Sequence, residues 1–171
     1  MVGAMKRTVS ILFATLGLVA LAAPACGGDS SGGATPSTGR VCTTVEPTLA
    51  SLNKEIFSTT ETCGGTNCHG KVLSAGNTLK LEGLDDATVL SALLMMTDRL
   101  DGSVRVVPGD PAKSFLLAKV KGDFTGFPCE AVKDKKLAGH CADRMPGPPN
   151  ASLCANEIAA IEKWIADGAK P

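Results

Sequence analysis

The chain has 171 residues and a formal net charge of zero, because 17 Lys and Arg residues balance 17 Asp and Glu residues. It contains no basic run or stripe, which argues against a nucleic-acid partner. Tyr is absent, Trp occurs once and Phe five times, so a platform for stacking bases is not expected either. So few large side chains predict a thin core that a cross-link or a cofactor would help to stabilise.

Residues 1–25 have the features of an export signal. Lys6 and Arg7 form a positively charged start, and an uncharged apolar stretch follows over 9–23. The stretch is too short for an ordinary membrane-spanning helix, which needs about 20 apolar residues. Small residues at 23–25 then suit cleavage of the signal. The sequence therefore predicts an exported protein.

Cleavage after the signal would place Cys26 at the head of the mature chain, where a lipid could be attached. Plain secretion is the alternative, because Ala23 occupies a position at which lipoprotein signals usually carry Leu. The Gly- and Ser-rich segment 26–40 has the composition of a flexible linker. We expect a domain over 41–171, located in the periplasm or held on the outer membrane or cell surface through this anchor.

Seven cysteines are present, and in an exported protein they should form disulfides, attach a cofactor or carry a lipid. Setting Cys26 aside leaves an even number, as a fully paired set requires. The remaining six are Cys42, Cys63, Cys68, Cys129, Cys141 and Cys154.

The segment 63–70 (CGGTNCHG) places a histidine directly after the second of two cysteines. Covalent haem attachment needs two thiols, which add to the vinyl groups, and an adjacent histidine that lies beneath the iron as an axial ligand. Four residues separate the cysteines, and the two glycines among them give the backbone freedom to absorb that length. The pattern predicts one haem c, bound covalently through Cys63 and Cys68, with His69 on the iron.

Two other interpretations of the motif stay open. Cys63 and Cys68 could form a disulfide with each other, leaving His69 as a bystander. Alternatively, the three residues could hold zinc together with His140 or Cys141, since structural zinc needs four ligands. An oxidising compartment disfavours the thiolates that a zinc site requires.

The segment 144–149 (RMPGPP) offers a second axial ligand far along the chain. Its prolines hold the backbone in an extended loop that presents the thioether of Met145. A Met sulfur opposite a histidine raises the reduction potential of haem iron. His140 is the competing sixth ligand and would give a site of lower potential; an ordinary buried Met145 is the remaining alternative.

Helical periodicity predicts a mainly α domain with long loops and no convincing hairpin. The predicted helices cover 47–59, 85–98, 110–120 and 157–167. The first and last are amphipathic and could cross to close a crevice. In the second, we interpret Met95 and Met96 as core residues.

Local signals mark the ends of two of these helices. Asp110 followed by Pro111 is typical of an N-cap and first helical position. Glu157, three residues after Cys154, occupies the place of a capping-box acid, and Gly168 is expected to end the last helix.

In their order, these pieces resemble the class I c-type cytochrome domain of exported bacterial proteins. The matching pieces are 56–57 (IF), 63–70, 106–117 (VVPGDPAKSFLL), 144–146 (RMP) and 157–169 (EIAAIEKWIADGA). The resemblance spans nearly all of the domain. It implies a small cytochrome c-like helical fold, thioether bonds at Cys63 and Cys68, and His69 and Met145 as the axial ligands of the haem iron.

We therefore expect an electron-transfer protein and not an enzyme, since both axial positions of the iron would be filled. Its partners would be redox proteins that the sequence does not identify, and the membrane surface if Cys26 is lipidated. One alternative is a haem-free, disulfide-stapled exported lipoprotein that acts as a structural or protein-binding module. Another is a haem enzyme or sensor in which Met145 is not bound.

Four cysteines remain for disulfides, and three pairings are available to them. Cys141 and Cys154 flank the Met145 segment, so a bond between them would fix the ligand loop. That choice pairs Cys42 with Cys129.

Overall fold

The computed structural model describes residues 40–65, 68–70, 79–97, 102–129, 143–147 and 152–171. Within these ranges the chain is mainly helical and forms no strand, which confirms the predicted α class. The α-helices are α1 (Leu49–Leu52), α2 (Asp86–Leu93), α3 (Phe115–Lys121) and α4 (Ala155–Ala166). None of the helices in these ranges is both long and apolar enough to cross a bilayer. The predicted signal, and the predicted linker except Arg40, lie outside the described residues.

The predicted helix at 47–59 is present, but it changes its winding midway. After α1 the chain continues as a π-helical turn over Asn53–Phe57. The amide of Asn53, only 6% exposed, donates to the carbonyl of Leu84 at 3.0 Å and to the carboxylate of Asp86 at 2.7 Å. This buried side chain therefore ties the π turn to the first residue of α2.

Helix α2 ends five residues earlier than the sequence predicted. Its N-cap is Asp85, at the start of the predicted range, but after Leu93 the chain pairs with residues 103–106. The main-chain bonds are Thr97 N to Ser103 O (2.8 Å), Arg105 N to Met95 O (3.1 Å) and Val106 N to Leu93 O (2.9 Å), around an antiparallel bridge between Met96 and Val104. This pairing leaves Met95 60% and Met96 65% exposed, so their assignment to the core was wrong.

The N-cap predicted at Asp110 is present, but the predicted helix over 110–120 is divided at Ser114, whose backbone is extended. Asp110 accepts a hydrogen bond from Lys113 N at 3.1 Å and caps a 3₁₀ turn over Pro111–Lys113, which leads into α3. The preceding Gly109 donates its N–H to the carbonyl of Ile165 at 2.8 Å. That bond joins the turn to the end of α4.

The two terminal helices pack on each other, as their amphipathic patterns predicted. The rings of Phe57 and Trp164 lie 6.2 Å apart between centroids, at 58°. At the start of α4, Cys154 N donates to Glu157 at 2.8 Å, which confirms the capping box. The side chains that are almost fully enclosed are Leu49, Leu52, Ile56, Phe57, Leu81, Val89, Leu93, Leu153, Glu157, Ile161, Trp164 and Ile165.

The disulfide pairing differs from the one that we predicted. Cys42 is bonded to Cys154, 112 residues away, so the predicted pairs Cys141–Cys154 and Cys42–Cys129 are both wrong. Cys129 is also in a disulfide, with a partner outside the described residues. The reason lies in Glu157, which binds the N-terminal segment and thereby brings Cys42 to the start of α4.

Candidate functional site

The cysteine–histidine motif folds into a turn directly after the π turn. Cys63 N donates to the carbonyl of Ile56 at 3.3 Å, so the motif starts from the end of the first helix. Cys68 N donates to Gly65 O at 2.8 Å, and His69 N donates to Cys63 O at 3.1 Å. The last bond joins the backbone of the first residue of the motif to that of its histidine.

Gly64 allows this turn to lie against the helix that precedes it. Its N–H donates to Thr59 O at 2.8 Å. A Cβ at this position would lie 2.6 Å from the carbonyl oxygen of Ser58, closer than real Cβ contacts come. The sequence suggested that glycine supplies flexibility here, whereas the structure shows that it permits close approach.

The imidazole of His69 is oriented by a main-chain carbonyl. Its Nδ1 lies 2.9 Å from Leu79 O. Since a carbonyl oxygen only accepts, Nδ1 must carry the proton, and the lone pair that can bind a metal belongs to Nε2. The His69 carbonyl accepts from Leu81 N at 2.8 Å and Glu82 N at 3.1 Å, so segment 79–82 holds both the ring and the backbone.

The thiols of the motif have different environments and form no disulfide. Cys63 is 8% exposed, whereas Cys68 is half-buried. Burial, followed by the neighbouring Cys68, raises the pKa of the Cys63 thiol to about 12. The bond between Cys63 and Cys68 that we considered is not formed.

The ligands that the alternative zinc interpretation requires do not assemble in the part of the chain that the structure describes. Within it, no three His, Cys, Asp or Glu side chains are grouped so that they could hold a metal ion. His140 and Cys141, which the zinc interpretation would use, lie outside the described residues, as does Cys26. The alternative sixth ligand His140 is therefore not placed.

Met145 lies against α3, where main-chain and side-chain bonds hold its segment. Its N–H donates to Lys119 O at 2.8 Å, and Arg144 Nε donates to Val120 O at 3.0 Å. Met145 itself is half-buried. Val120 belongs to the same apolar core as Cys63, so the Met145 segment and the cysteine–histidine turn are attached to one core.

A buried ion pair stands at the start of α4, and our sequence reasoning missed it. The carboxylate of Glu157, with no exposed side-chain surface, accepts two hydrogen bonds from the guanidinium of Arg40 at 2.6 and 2.8 Å. It also accepts from Thr43 N at 3.1 Å and Thr43 Oγ1 at 3.0 Å. A signal for it was present, because Glu157 lies one helical turn before Ile161 on the buried stripe of α4 and so needs a partner.

The electrostatics of this pair favour its charged form. Burial on its own would raise the pKa of Glu157, but the hydrogen bonds from Arg40, Cys154 N and Thr43 outweigh it and hold that pKa below its usual value. The bond to Glu157 also raises the pKa of Arg40. Both residues interact electrostatically with Cys63, so the pair lies close to the motif.

Two surface clefts of about 430 Å³ each lie apart from this site. One is lined by Pro47, Thr48, Trp164, Asp167, Lys170 and Pro171. The other is lined by Asp110, Pro111, Ala112, Leu117, Ala118, Lys121, Asp123, Thr125, Phe127 and Glu162. Neither contains Cys63, Cys68, His69 or Met145.

Comparisons with models of known families, with curated proteins and with solved structures found no match to this chain. The functional interpretation therefore depends on the residues of the site and their geometry.

Proposed function

We propose that this chain is an exported haem c-binding protein that transfers electrons. One haem is attached through Cys63 and Cys68, and its iron is bound by His69 and Met145. The observation that carries the proposal is the hydrogen bond between His69 Nδ1 and Leu79 O, at 2.9 Å.

That bond gives His69 the form that an iron ligand needs. Metal-binding histidines almost always donate their other ring N–H to a carbonyl, a carboxylate or water, which fixes the tautomer and the ring orientation and increases the basicity of the ligand. Here the carbonyl comes from Leu79, ten residues along the chain, while the His69 backbone is fixed by Leu81 and Glu82. The ring is therefore oriented before any metal is bound.

The two cysteines fit covalent attachment because neither is consumed in a disulfide. In thioether formation, the S–H of each thiol adds across a vinyl C=C bond. The sulfur bonds to one carbon and the hydrogen goes to the other, so no oxidant is required. The main-chain bond from His69 N to Cys63 O closes the turn that carries both cysteines and the histidine.

Bound haem would supply a reversible one-electron couple. His69 would hold the iron through Nε2, with its ring oriented by Leu79, and Met145 would offer its sulfur from a segment attached to α3. With both residues bound to the iron, electrons would pass to and from a partner protein without a substrate reaching the metal.

The location of the protein belongs to the same proposal. A signal over 1–25 would export the chain, and a lipid on Cys26 would hold it at a membrane surface. The Cys42–Cys154 disulfide suits an oxidising compartment. The partners would be redox proteins of that compartment.

The direct test is expression of the full chain, with its N-terminal signal, in a strain that matures c-type cytochromes. We expect a Soret band, a sharp α band after dithionite reduction, and colour that stays with the protein through acid–acetone extraction. A colourless product from that strain would overturn the proposal. It would instead favour the haem-free exported module, for which the Cys42–Cys154 disulfide is the supporting observation.

Matched double variants separate haem attachment from a general need for cysteines. Cys63→Ser with Cys68→Ser should abolish covalent haem. Cys42→Ser with Cys154→Ser removes the same number of sulfurs at the disulfide, and it should reduce stability while any folded protein keeps its haem. Equal loss of haem in both variants would contradict the assigned roles.

A further inference from the structure

Helix α3 carries a buried lysine that the proposed electron transfer does not itself use. Lys119 is 7% exposed, and lysines are rarely so buried unless they are paired. Its ammonium lies 5.6 Å from the ring centre of Phe115 and 5.5 Å from that of Phe124, within the range of cation–π attraction. Phe127 packs edge-on against Phe115 at 5.2 Å. The aromatic cluster thus holds the charged end of Lys119 in place.

The same lysine binds the Met145 segment twice. Lys119 Nζ donates to the carbonyl of Asp143 at 3.1 Å, and the Lys119 carbonyl accepts from Met145 N at 2.8 Å. Between these two contacts, Arg144 Nε donates to Val120 O at 3.0 Å. Three consecutive residues of the segment are therefore attached to two consecutive residues of α3.

We propose that Lys119 is a positioning residue that holds Met145 in place for the iron. Its ammonium binds the Met145 segment at the Asp143 carbonyl, and the aromatic cluster keeps the ammonium in position. This rests on the proposed function, since it concerns how firmly the sixth ligand is held. Lys119 does not touch the iron; it acts through the backbone of Asp143.

The expected size of the effect follows from the type of bond. Losing a charge-assisted hydrogen bond changes an equilibrium by about ten- to a hundredfold. In Lys119→Met the unbranched apolar stem remains beside the phenylalanines, and the ammonium is lost. We expect the fraction of protein in which Met145 has left its position to rise by that factor.

The first measurement uses the haem-loaded full chain. Carbon monoxide binds ferrous haem only where an axial position is open, so its binding reports how often Met145 leaves the iron. Lys119→Met should bind carbon monoxide about ten to a hundred times faster than wild type. The near-infrared absorption typical of Met-ligated ferric haem should weaken, and the reduction potential should fall.

The second measurement needs no haem. In the full chain that carries Cys63→Ser and Cys68→Ser, adding Lys119→Met should accelerate hydrogen exchange at the Met145 amide about ten- to a hundredfold. Lys119→Arg keeps a cation that stacks well on aromatic rings. It should largely restore both slow exchange and slow carbon monoxide binding.

Lys121→Met is the matched control, because Lys121 lies on the same helix but binds Glu162 at 2.8 Å at the surface. It should behave as wild type. Unchanged exchange and unchanged carbon monoxide binding in Lys119→Met would overturn the proposal, as would equal effects in Lys121→Met. If the wild-type chain takes up no haem, the proposed function fails, and exchange at Met145 alone decides whether Lys119 holds the segment.

Discussion

At the scale of single residues, Gly64 and His69 show how main-chain atoms shape the motif. The carbonyl of Ser58 leaves no space for a side chain at position 64, and the carbonyl of Leu79 decides which nitrogen of His69 can bind a metal. Neither contact involves a second side chain. The motif is therefore arranged by the backbone of the segments before and after it.

The close approach at Gly64 leads to a test by substitution. In Gly64→Ala the new methyl group would lie 2.6 Å from Ser58 O, so backbone must shift. We expect the free energy of unfolding to fall by about 1–3 kcal/mol, the usual cost of forcing an extra carbon into a packed site. Urea unfolding monitored by circular dichroism would measure it.

Gly147→Ala provides the control, because a Cβ there meets only Arg144 O at an ordinary 3.6 Å. Its effect should stay within about 0.5 kcal/mol. Equal stability of the two variants would show that the contact with Ser58 relaxes without cost.

The candidate motif could be recognised from the sequence, because a cysteine directly followed by a histidine is visible there. The hydrogen-bond partner of the His69 ring could not be predicted. Leu79 contributes only a carbonyl, which every residue possesses, and its selection depends on where the chain returns after the motif.

At the scale of elements, the start of α4 combines three stabilising features. Glu157 caps the helix through Cys154 N, neutralises Arg40 and binds the backbone of Thr43. A carboxylate in the first turn also interacts favourably with the helix dipole. One buried side chain therefore connects the N-terminal segment to the helix that closes the core.

Glu157→Gln should make the protein less stable and less sensitive to acid. Removing one partner of a buried ion pair costs about 3–5 kcal/mol, so we expect that loss near neutral pH. The folded state lowers the pKa of Glu157, so its contribution is complete above the unfolded value of about 4.3 and is lost as the pH falls through the folded value. Urea unfolding at several pH values between about 3 and 7 would reveal a flatter profile in the variant.

Glu162→Gln on the same helix is the comparison, since its ion pair with Lys121 is exposed. It should cost about 0–1 kcal/mol. An acid profile of Glu157→Gln that parallels that of wild type would contradict the role given to the buried carboxylate.

The helices themselves were largely predictable, because their apolar residues recur at helical spacing. The end of α2 was not predictable. There the chain leaves the helix so that residues 93–97 can pair with residues 103–106, and a longer helix would prevent this pairing. Hydropathy alone placed Met95 and Met96 inside, whereas that pairing turns them toward the surface. Pairing with the next segment of the chain, and not helical spacing, decided where α2 ends.

At the scale of the whole molecule, the Cys42–Cys154 bond encloses most of the described chain, but not α4, in one covalent loop. The two residues are 112 positions apart, and the candidate haem motif, α1, α2, α3 and the Met145 segment all lie between them. A cross-link that closes so long a loop restricts the unfolded chain strongly.

Replacing both cysteines by serine should lower the free energy of unfolding by about 4–5 kcal/mol, the value that loop-closure entropy gives for a loop of this length. Thermal and urea unfolding of the variant would measure the loss. Peptide mapping of wild-type protein without reductant should recover residues 42 and 154 in one cross-linked fragment. A fragment that joins Cys42 to Cys129 would contradict the structure.

The disulfide pairing could not be predicted from spacing. Cys141 and Cys154 lie on either side of Met145 in the sequence, but this does not determine which chain segments meet in the fold. What brings Cys42 to Cys154 is the binding of Arg40 and Thr43 to Glu157. Those partners lie more than 110 residues apart in sequence.

The same cross-link determines how the domain would carry mechanical load. If the chain is tethered at its N-terminal end and pulled from its C-terminal end, tension enters at Cys42 and passes through the sulfur–sulfur bond directly into Cys154 and α4. The backbone of residues 43–153 is bypassed and bears no covalent load. Under such a load the covalent path would not pass through the cysteine–histidine turn or the Met145 segment, and only non-covalent contacts with α4, such as that of Phe57 with Trp164, would transmit force to them.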